Sequence, residues 1–470
     1  MTAIPPGLDA VILTEAGPDR GLGHLARCLA LAEALKGCGA CPRLFVRGVD
    51  RVPQALAVGV AAEPSEWLNE LPRALAGCGI AVVDSYEAPA QMYVRVAQAA
   101  RVGVWLDDNR RLEYPPGLVV DGGVQATGRR GDRVPPGMVL LFGPRFQPLR
   151  RPFWTCAPRA IRDHVRRILV VIGGTDVHGL GARVVAALSA AHPSVVLDLV
   201  EGGRSAAGMA EAMAEADLGV TAAGQTLFEL AAAGVPAVGI IVADNQRSNA
   251  EGWAAAGFLR LAQRWDDDDL ERSIVEAVGE WWPRNVREHS VSAGRALCDG
   301  RGALRVAQQA VGAWRASWLA LRPAGVMDEA SLLTLSNHPQ VREGSFRSDP
   351  IAPDEHHSWF MERLRDPDSL LFVVEDDSGV AGLVRFRING AVATVGIALA
   401  PRTRGRRMAM PILERALAVL VAARSGVREA VALVRAENGT SRAMFASAGF
   451  TEEGPVEMAA IPSVRFVRAL

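Results

Sequence analysis

From residue 9 to about residue 145, short apolar runs alternate with longer stretches of helical period. The runs at 9–13, 43–46, 80–83, 103–106 and 139–142 read as strands, and the Ala/Leu/Arg-rich stretches 25–35 and 91–100 as helices between them. Strands that are apolar throughout are covered on both faces, so this alternation predicts a parallel sheet. A second alternating unit opens at 167–172 and continues through strands at 195–200, 218–220 and 237–242 to a helical segment ending near Arg315. Between the units, 143–153 is rich in Pro and Arg and reads as a connection. From Leu321 the character changes to mixed α+β, with strands at 371–375, 382–387, 393–399 and 429–434 and a helix over about 407–422. The predicted fold class is therefore α/β: two Rossmann-like units, 1–150 and 151–315, followed by an α+β domain over 316–470. Ligands of the first two units are expected outside the carboxyl ends of the strands.

Composition narrows the function classes. A chain of 470 residues is too long for one ordinary core, in keeping with several domains. A net charge of −1 lacks the basic surface on which binding to nucleic acid or an anionic membrane rests. Residues 1–9 carry no basic segment before an apolar core, and no run of about 18 apolar residues follows, so the expected compartment is the cytoplasm, with no membrane partner. The six cysteines (28, 38, 41, 78, 156, 298) fit reduced thiols. Cys38 and Cys41 have CxxC spacing, but no second pair or nearby histidine completes a zinc site. The acidic run 266–269 follows Arg264 and Trp265 and precedes a helix, as a solvated first turn does. No metal is expected.

Candidate chemistry begins between the first strand and helix. Gly21, Gly23, His24 and Arg27 lie in a GxGHxxRC turn, where free helix amides suit an anion and the histidine can exchange a proton near neutral pH. The second unit places Gly174 in a Gly-Gly-Thr-Asp turn after its first strand. Later, Gly224, Gln225 and Thr226 enter a helix whose first turns include Glu229. Small residues there let the backbone approach a diphosphate. Glu229 either accepts bonds from ribose hydroxyls or is a solvated acid in the first turns. Asn245 and Gln246 stand in a strand-end loop with amides suited to a base or sugar. In the third region, Arg402, Arg404, Gly405, Arg406, Arg407, Met408 and Ala409 form a basic turn before a helix, a cradle for pyrophosphate.

The order GxGH, GGTD, AGxTxxELAxxGVP and ADNQxxNA over residues 9–310 resembles the nucleotide-sugar branch of the GT-B fold, and within it the UDP-sugar hydrolases of pseudaminic acid biosynthesis. The DxY element of that family matches Asp84 to Tyr86, its acidic pair Asp107 and Asp108, and its Gly-Pro-Arg-aromatic stretch Gly143 to Phe146. The resemblance implies inverting hydrolysis of the sugar C–O bond with release of UDP. It makes His24 the base for the attacking water, while Asp84 and Asp107 either orient that water, bind sugar hydroxyls or cap strand ends. A departure at Ala223, where the family has glycine, requires a negative φ.

Residues 321–465 resemble the acetyl-CoA-dependent N-acetyltransferases of the GNAT superfamily, through the 404–409 loop followed by Asn438, Ser441, Phe445 and Gly449-Phe450. The resemblance implies acetyl-CoA as co-substrate. Asn438 either meets the pantetheine arm or caps a helix, and His356 is either the base or a packing residue beside Trp359. Two departures stand out. Arg407 occupies a usual glycine position, where a positive φ would strain it, and Phe445 replaces a tyrosine that protonates the departing thiolate. Together the resemblances imply consecutive steps on one UDP-sugar: N-acetylation of a UDP-4-amino-4,6-dideoxy sugar, then hydrolysis to 2,4-diacetamido-2,4,6-trideoxy-L-altrose. The alternatives are a GT-B glycosyltransferase and a hydrolase carrying a non-catalytic GNAT-like scaffold.

Overall fold

The computed structural model describes residues 7–17, 21–52, 59–109, 111–125, 135, 137–157, 159–173, 176, 178–200, 204–458 and 460–470. The first unit comprises β1 (Leu8–Glu15), α1 (Gly23–Gly37), β2 (Ala40–Arg47), β3 (Ala61–Pro64), β4 (Ile80–Asp84), α2 (Ala90–Ala99), β5 (Val102–Leu106), β6 (Gly117–Asp121) and β7 (Met138–Phe142). Its sheet has the order β3-β2-β1-β4-β5-β6-β7, parallel throughout. Side chains such as Ile12, Val82 and Val104 enter one apolar core, and Val11, Val83 and Trp105 enter another on the opposite face. This two-sided burial explains the uninterrupted apolar runs. The strand order reverses at β1/β4, opening a crevice at their carboxyl ends.

The second unit comprises β8 (Arg167–Val171), α3 (Leu180–Ala191), β9 (Val196–Leu199), α4 (Ala206–Glu215), β10 (Leu218–Ala222), α5 (Gln225–Ala233), β11 (Ala237–Ile241), α6 (Arg247–Ala255), β12 (Leu259–Arg264), α7 (Leu270–Gly279) and α8 (Arg284–Leu297). Its sheet is also parallel, in the order β12-β11-β10-β8-β9, and reverses at β8/β10. Helix α9 (Gly302–Ala316) then returns to pack on α1, β4 and β5 of the first unit.

The third region contains β13 (Ala320–Pro323), α10 (Glu329–Ser336), α11 (Pro339–Glu343), α12 (Pro353–Arg365), β14 (Ser369–Asp376), β15 (Gly379–Asn389), β16 (Val392–Leu399), α13 (Ala409–Ala423), β17 (Glu429–Arg435), α14 (Gly439–Ser447), β18 (Thr451–Met458) and β19 (Ile461–Ala469). Its seven strands run β13-β14-β15-β16-β17-β19-β18. All neighbours are antiparallel except β16 and β17, which are parallel and pair only over 392–394 and 429–431. Beyond that point the two strands separate.

Helix α13 lies against β7, the edge strand of the first sheet, and against α9, so one apolar core runs through both regions. An edge strand covered in this way offers no template for pairing with another chain. The contact is close: a Cβ at Gly312 of α9 would stand 2.5 Å from the Arg407 carbonyl oxygen. The predicted strands are all present, and β3, β6, β12, β13, β18 and β19 are additional. Four of the six are sheet edges (β3, β12, β13 and β18), and each is interrupted by charged residues that remove the continuous apolar signature. Among the described residues, no helix is long and apolar enough to cross a membrane.

Candidate functional site

The first site forms where the β1/β4 crevice meets the start of α1. Gly21 has φ +70°, and α1 begins at Gly23 with no side-chain cap, so its first amides point into the crevice. His24 and Arg27, three residues apart, share one face of the helix and meet Asp84 at the end of β4. His24 Nδ1 lies 2.7 Å from Asp84 Oδ1. Arg27 grips the same carboxylate with two bonds, Nε to Oδ2 at 2.6 Å and Nη2 to Oδ1 at 2.6 Å. Its Nη1 donates to Asp108 Oδ2 at 2.8 Å, and Asp108 Oδ1 accepts from the Tyr86 hydroxyl at 2.8 Å. The Tyr86 ring meets His24 edge-on at 4.4 Å.

Burial alone would raise the Asp84 carboxyl, but the Arg27 guanidinium and the His24 ring hold it far below the usual carboxylate range. Asp108 is lowered in the same way: Arg27 overcomes its burial. Burial and the Asp108 charge push the Tyr86 hydroxyl well up, so it is a donor at neutral pH. Ionised Asp84 can only accept, so its 2.7 Å contact, shorter than the 3.2 Å from Arg27 Nη2 to the same nitrogen, assigns a proton to Nδ1 and leaves Nε2 as the acceptor of the neutral ring.

The sequence-predicted residues divide here. His24, Arg27, Asp84 and Tyr86 converge, whereas Asp107 does not join them. Its Oδ1 accepts from the Asn109 amide at 3.0 Å, and its Oδ2 from the Arg111 amide at 2.9 Å and the Tyr114 hydroxyl at 2.8 Å. Asp107 therefore caps the loop after β5, and Asp108 supplies the second carboxylate of the cluster. Glu15 is a further buried acid at the same strand ends. It holds the Ser85 hydroxyl at 2.8 Å and the Tyr86 amide at 2.9 Å.

In the second unit, Gly224, Gln225 and Thr226 start α5 at the end of β10. Gly174 lies outside the described residues, while Asp176 of the same motif caps α3 through the Leu180 and Gly181 amides at 2.9 and 2.6 Å. Ala223 is not among the residues with positive φ, so the departure from glycine is tolerated. Gln225 ties the units together, accepting from Gln147 at 2.6 Å and donating to the Pro148 carbonyl at 2.9 Å. Gln246 accepts from the Val242 amide at 3.2 Å, and Asn245 is exposed. Glu229 is neither solvated nor open to a ribose. It is buried, and Arg150 closes both of its oxygens at 2.7 and 2.8 Å. The acidic run diverges, with Asp266 on Arg264 at 3.0 Å and Asp269 on Arg272 at 2.6 Å. Among the described residues, no group of three or more His, Cys, Asp or Glu side chains is placed to hold a metal ion.

The second site is a cavity of about 2290 Å³ between the third region and the first unit. Its floor is the gap where β16 and β17 separate. Its walls include Gly405, Arg407, Met408 and Ala409, Asn438 and Ser441, and, from the first unit, Phe142 and Arg145. The turn before α13 opens amides onto the cavity. Arg407 has φ +59°, the strained conformation that its glycine-like position predicts. Arg404 is spent on carbonyls of Leu399 and Gln340 at 2.9 and 3.1 Å. Arg402 turns away to Asp376 at 2.9 Å, and neither it nor Arg406 lines the cavity. Asn438 caps α14 by accepting from the Ser441 amide at 3.0 Å.

His356 lines the cavity, is 1% exposed and stacks on Phe360 with ring centroids 5.8 Å apart. Neither ring nitrogen has a hydrogen-bond partner. Burial lowers its basicity, so the ring is neutral at physiological pH. Phe445 is buried against Phe450 and Phe466 and brings no hydroxyl to the cavity.

Residues 319–451 match the family model described as the acetyltransferase (GNAT) domain. Among solved structures, the chain is similar to the spermidine N-acetyltransferase from Vibrio cholerae in complex with CoA and spermine. Identity is 24%, coverage is 33% of this chain and 96% of that one, and the TM-score is 0.30. It is also similar to an acetyltransferase of the GNAT family from Streptococcus pneumoniae, at 17% identity, 32% and 99% coverage, and a TM-score of 0.29. No curated protein matches the chain. The C-terminal domain is a GNAT acetyltransferase domain, of a family whose members bind acetyl-CoA. That assignment rests on the family model and not on these low-scoring overlaps.

Proposed function

We propose that this chain, whose C-terminal domain is a GNAT acetyltransferase domain, acts twice on one UDP-sugar in the cytoplasm. The domain 316–470 acetylates the 4-amino group of a UDP-4-amino-4,6-dideoxy-N-acetyl sugar. The units 1–150 and 151–315, as the two halves of a GT-B hydrolase, then release UDP and 2,4-diacetamido-2,4,6-trideoxy-L-altrose. The acetyltransferase half is carried by the family match. The hydrolase half is carried by one observation: a histidine, an arginine, two carboxylates and a tyrosine converge at the strand-order reversal of the first sheet.

In the hydrolase, Asp84 holds the neutral His24 ring through Nδ1, with Nε2 as its free acceptor nitrogen. That nitrogen takes a proton from water as the water oxygen bonds to the anomeric carbon and the bond to the UDP oxygen breaks. Charge on the departing diphosphate is met by helix amides at α1 and α5. In the acetyltransferase, the gap between β16 and β17 suits the pantetheine arm, and the amides at 405–409 suit the pyrophosphate. Acetyl-CoA supplies the activated acyl group. His356, neutral and unpartnered, takes the proton from the amine as its nitrogen bonds to the acetyl carbon and the thioester C–S bond breaks, coenzyme A leaving as the thiolate.

The test is turnover of a synthetic UDP-4-amino sugar by the intact chain. UDP release that depends on His24 and acetyl transfer that depends on His356 are the expected results. UDP release only when a sugar acceptor is added would favour a glycosyltransferase, and absence of acetyl transfer would leave a scaffold domain.

A further inference from the structure

One wall of the acetyl-transfer cavity is built by β15, α11 and α12, and two arginines, Arg342 and Arg385, stand on it. Arg385 on β15 faces Gly396 across the ladder to β16. A Cβ at 396 would lie 2.8 Å from Arg385 Nε, so the side chain runs flat over that glycine into the cavity. The Trp359 ring lies 5.9 Å from the guanidinium. Arg342 on α11 lines the same cavity. One of its nitrogens donates to the Arg347 carbonyl, while its Nε is buried with no partner.

Among the described residues, neither arginine is ion-paired. Two nearby arginines are already matched: Arg347 with Glu355 at 2.6 Å, and Arg363 with Asp366 at 3.1 Å. Enclosure by the cavity and then repulsion from Arg342 and Arg363 weaken the hold of Arg385 on its proton; enclosure and then repulsion from Arg347 do the same for Arg342, against the pull of Glu355 and Asp349. A wall of this kind repels a polyamine and suits a phosphate ester.

We infer that the amine acetylated here carries a phosphate or diphosphate ester, and that Arg342 and Arg385 bind that group. The inference rests on the C-terminal domain acetylating an amine in this cavity, and it names the class of that amine. The co-substrate's pyrophosphate has its own cradle at 405–409, so the arginine pair is left for the acceptor.

The test compares, with the intact chain, a UDP-linked amino sugar, the same amino sugar 1-phosphate, the free amino sugar and spermidine as acceptors. The phosphorylated acceptors are expected to be preferred. Arg385→Gln should raise their KM about tenfold or more, leaving the KM of the free amino sugar and the dissociation constant of acetyl-CoA unchanged. Arg385→Lys should restore part of the loss. A preference for the UDP-linked form over the 1-phosphate identifies the diphosphate as the recognised group, and equal use identifies a single phosphate. Equal use of the free amino sugar, a preference for spermidine, or a weaker hold on acetyl-CoA in Arg385→Gln would overturn the inference alone. Acetyl transfer to none of the four would overturn it together with the reading beneath it.

Discussion

Replacing Asp84 with asparagine tests the first site through three linked readouts. The carboxylate is fully buried and accepts from His24 Nδ1, Arg27 Nε, Arg27 Nη2 and, at 3.4 Å, Cys28 Sγ. Breaking a buried charge pair costs about 3–5 kcal/mol. Arg27 keeps Asp108 at 2.8 Å, and the amide oxygen keeps one acceptor, so the low end, about 3 kcal/mol, is expected. For a unit of this size that lowers the unfolding midpoint by about 6–12 °C. The folded chain holds the Asp84 carboxyl below its unfolded value. Its stabilisation is therefore complete above about pH 4 and is lost as the pH falls further. The variant should accordingly lose less stability than the parent between about pH 5 and pH 3. Its amide group also faces Nδ1 and favours the tautomer with the proton on Nε2, which should cost UDP release about a thousandfold or more. Calorimetric melts across pH and a coupled UDP assay measure all three. A variant with the parent's midpoint, acid limb and turnover would refute the reasoning.

Three further outcomes are expected. Arg407→Gly removes a side chain from the left-handed region and should stabilise the acetyltransferase domain by about 1 kcal/mol; a lower melting midpoint would contradict this. Glu229→Ala leaves Arg150 without its partner and should lower the midpoint of the second unit, at a cost of about 3 kcal/mol; an unchanged midpoint with weaker UDP binding would instead place the carboxylate on ribose. Phe445→Tyr returns a hydroxyl to the cavity and should raise kcat for acetyl transfer with the fold intact; an unchanged kcat would show that thiolate protonation does not limit the rate.

Most strands legible in the sequence have two covered faces and so leave an uninterrupted apolar run; β6 is an exception, buried on both faces but only Leu118, Val119 and Val120 long in apolar residues. β12, with Arg260, Gln263 and Arg264, and β18, with Glu452 and Glu453, pay for exposure with polar residues and lose the signal. β18 is held instead by cross-strand partners such as Arg465 on Glu453. The site was legible where it is local. His24 and Arg27 lie on one helical face, and the end of an apolar strand marks Asp84. The choice between Asp107 and Asp108 was not legible, because adjacent side chains at a strand end point opposite ways and spacing does not say which way the site lies. Nor was the fate of Glu229, whose partner Arg150 stands 79 residues away. The unpaired Arg385 carries no sequence signal, since only the tertiary fold shows which arginines lack a carboxylate.

The most direct test of the two-step account is mass spectrometry of the products formed from a UDP-4-amino-4,6-dideoxy-N-acetyl sugar, with and without acetyl-CoA. With acetyl-CoA, the account predicts free UDP and a diacetamido sugar. His24→Ala should stop the reaction at the acetylated UDP-sugar, and His356→Ala should stop it before acetylation. An unchanged UDP-sugar in the presence of acetyl-CoA, or UDP release that is indifferent to His24, would contradict the account.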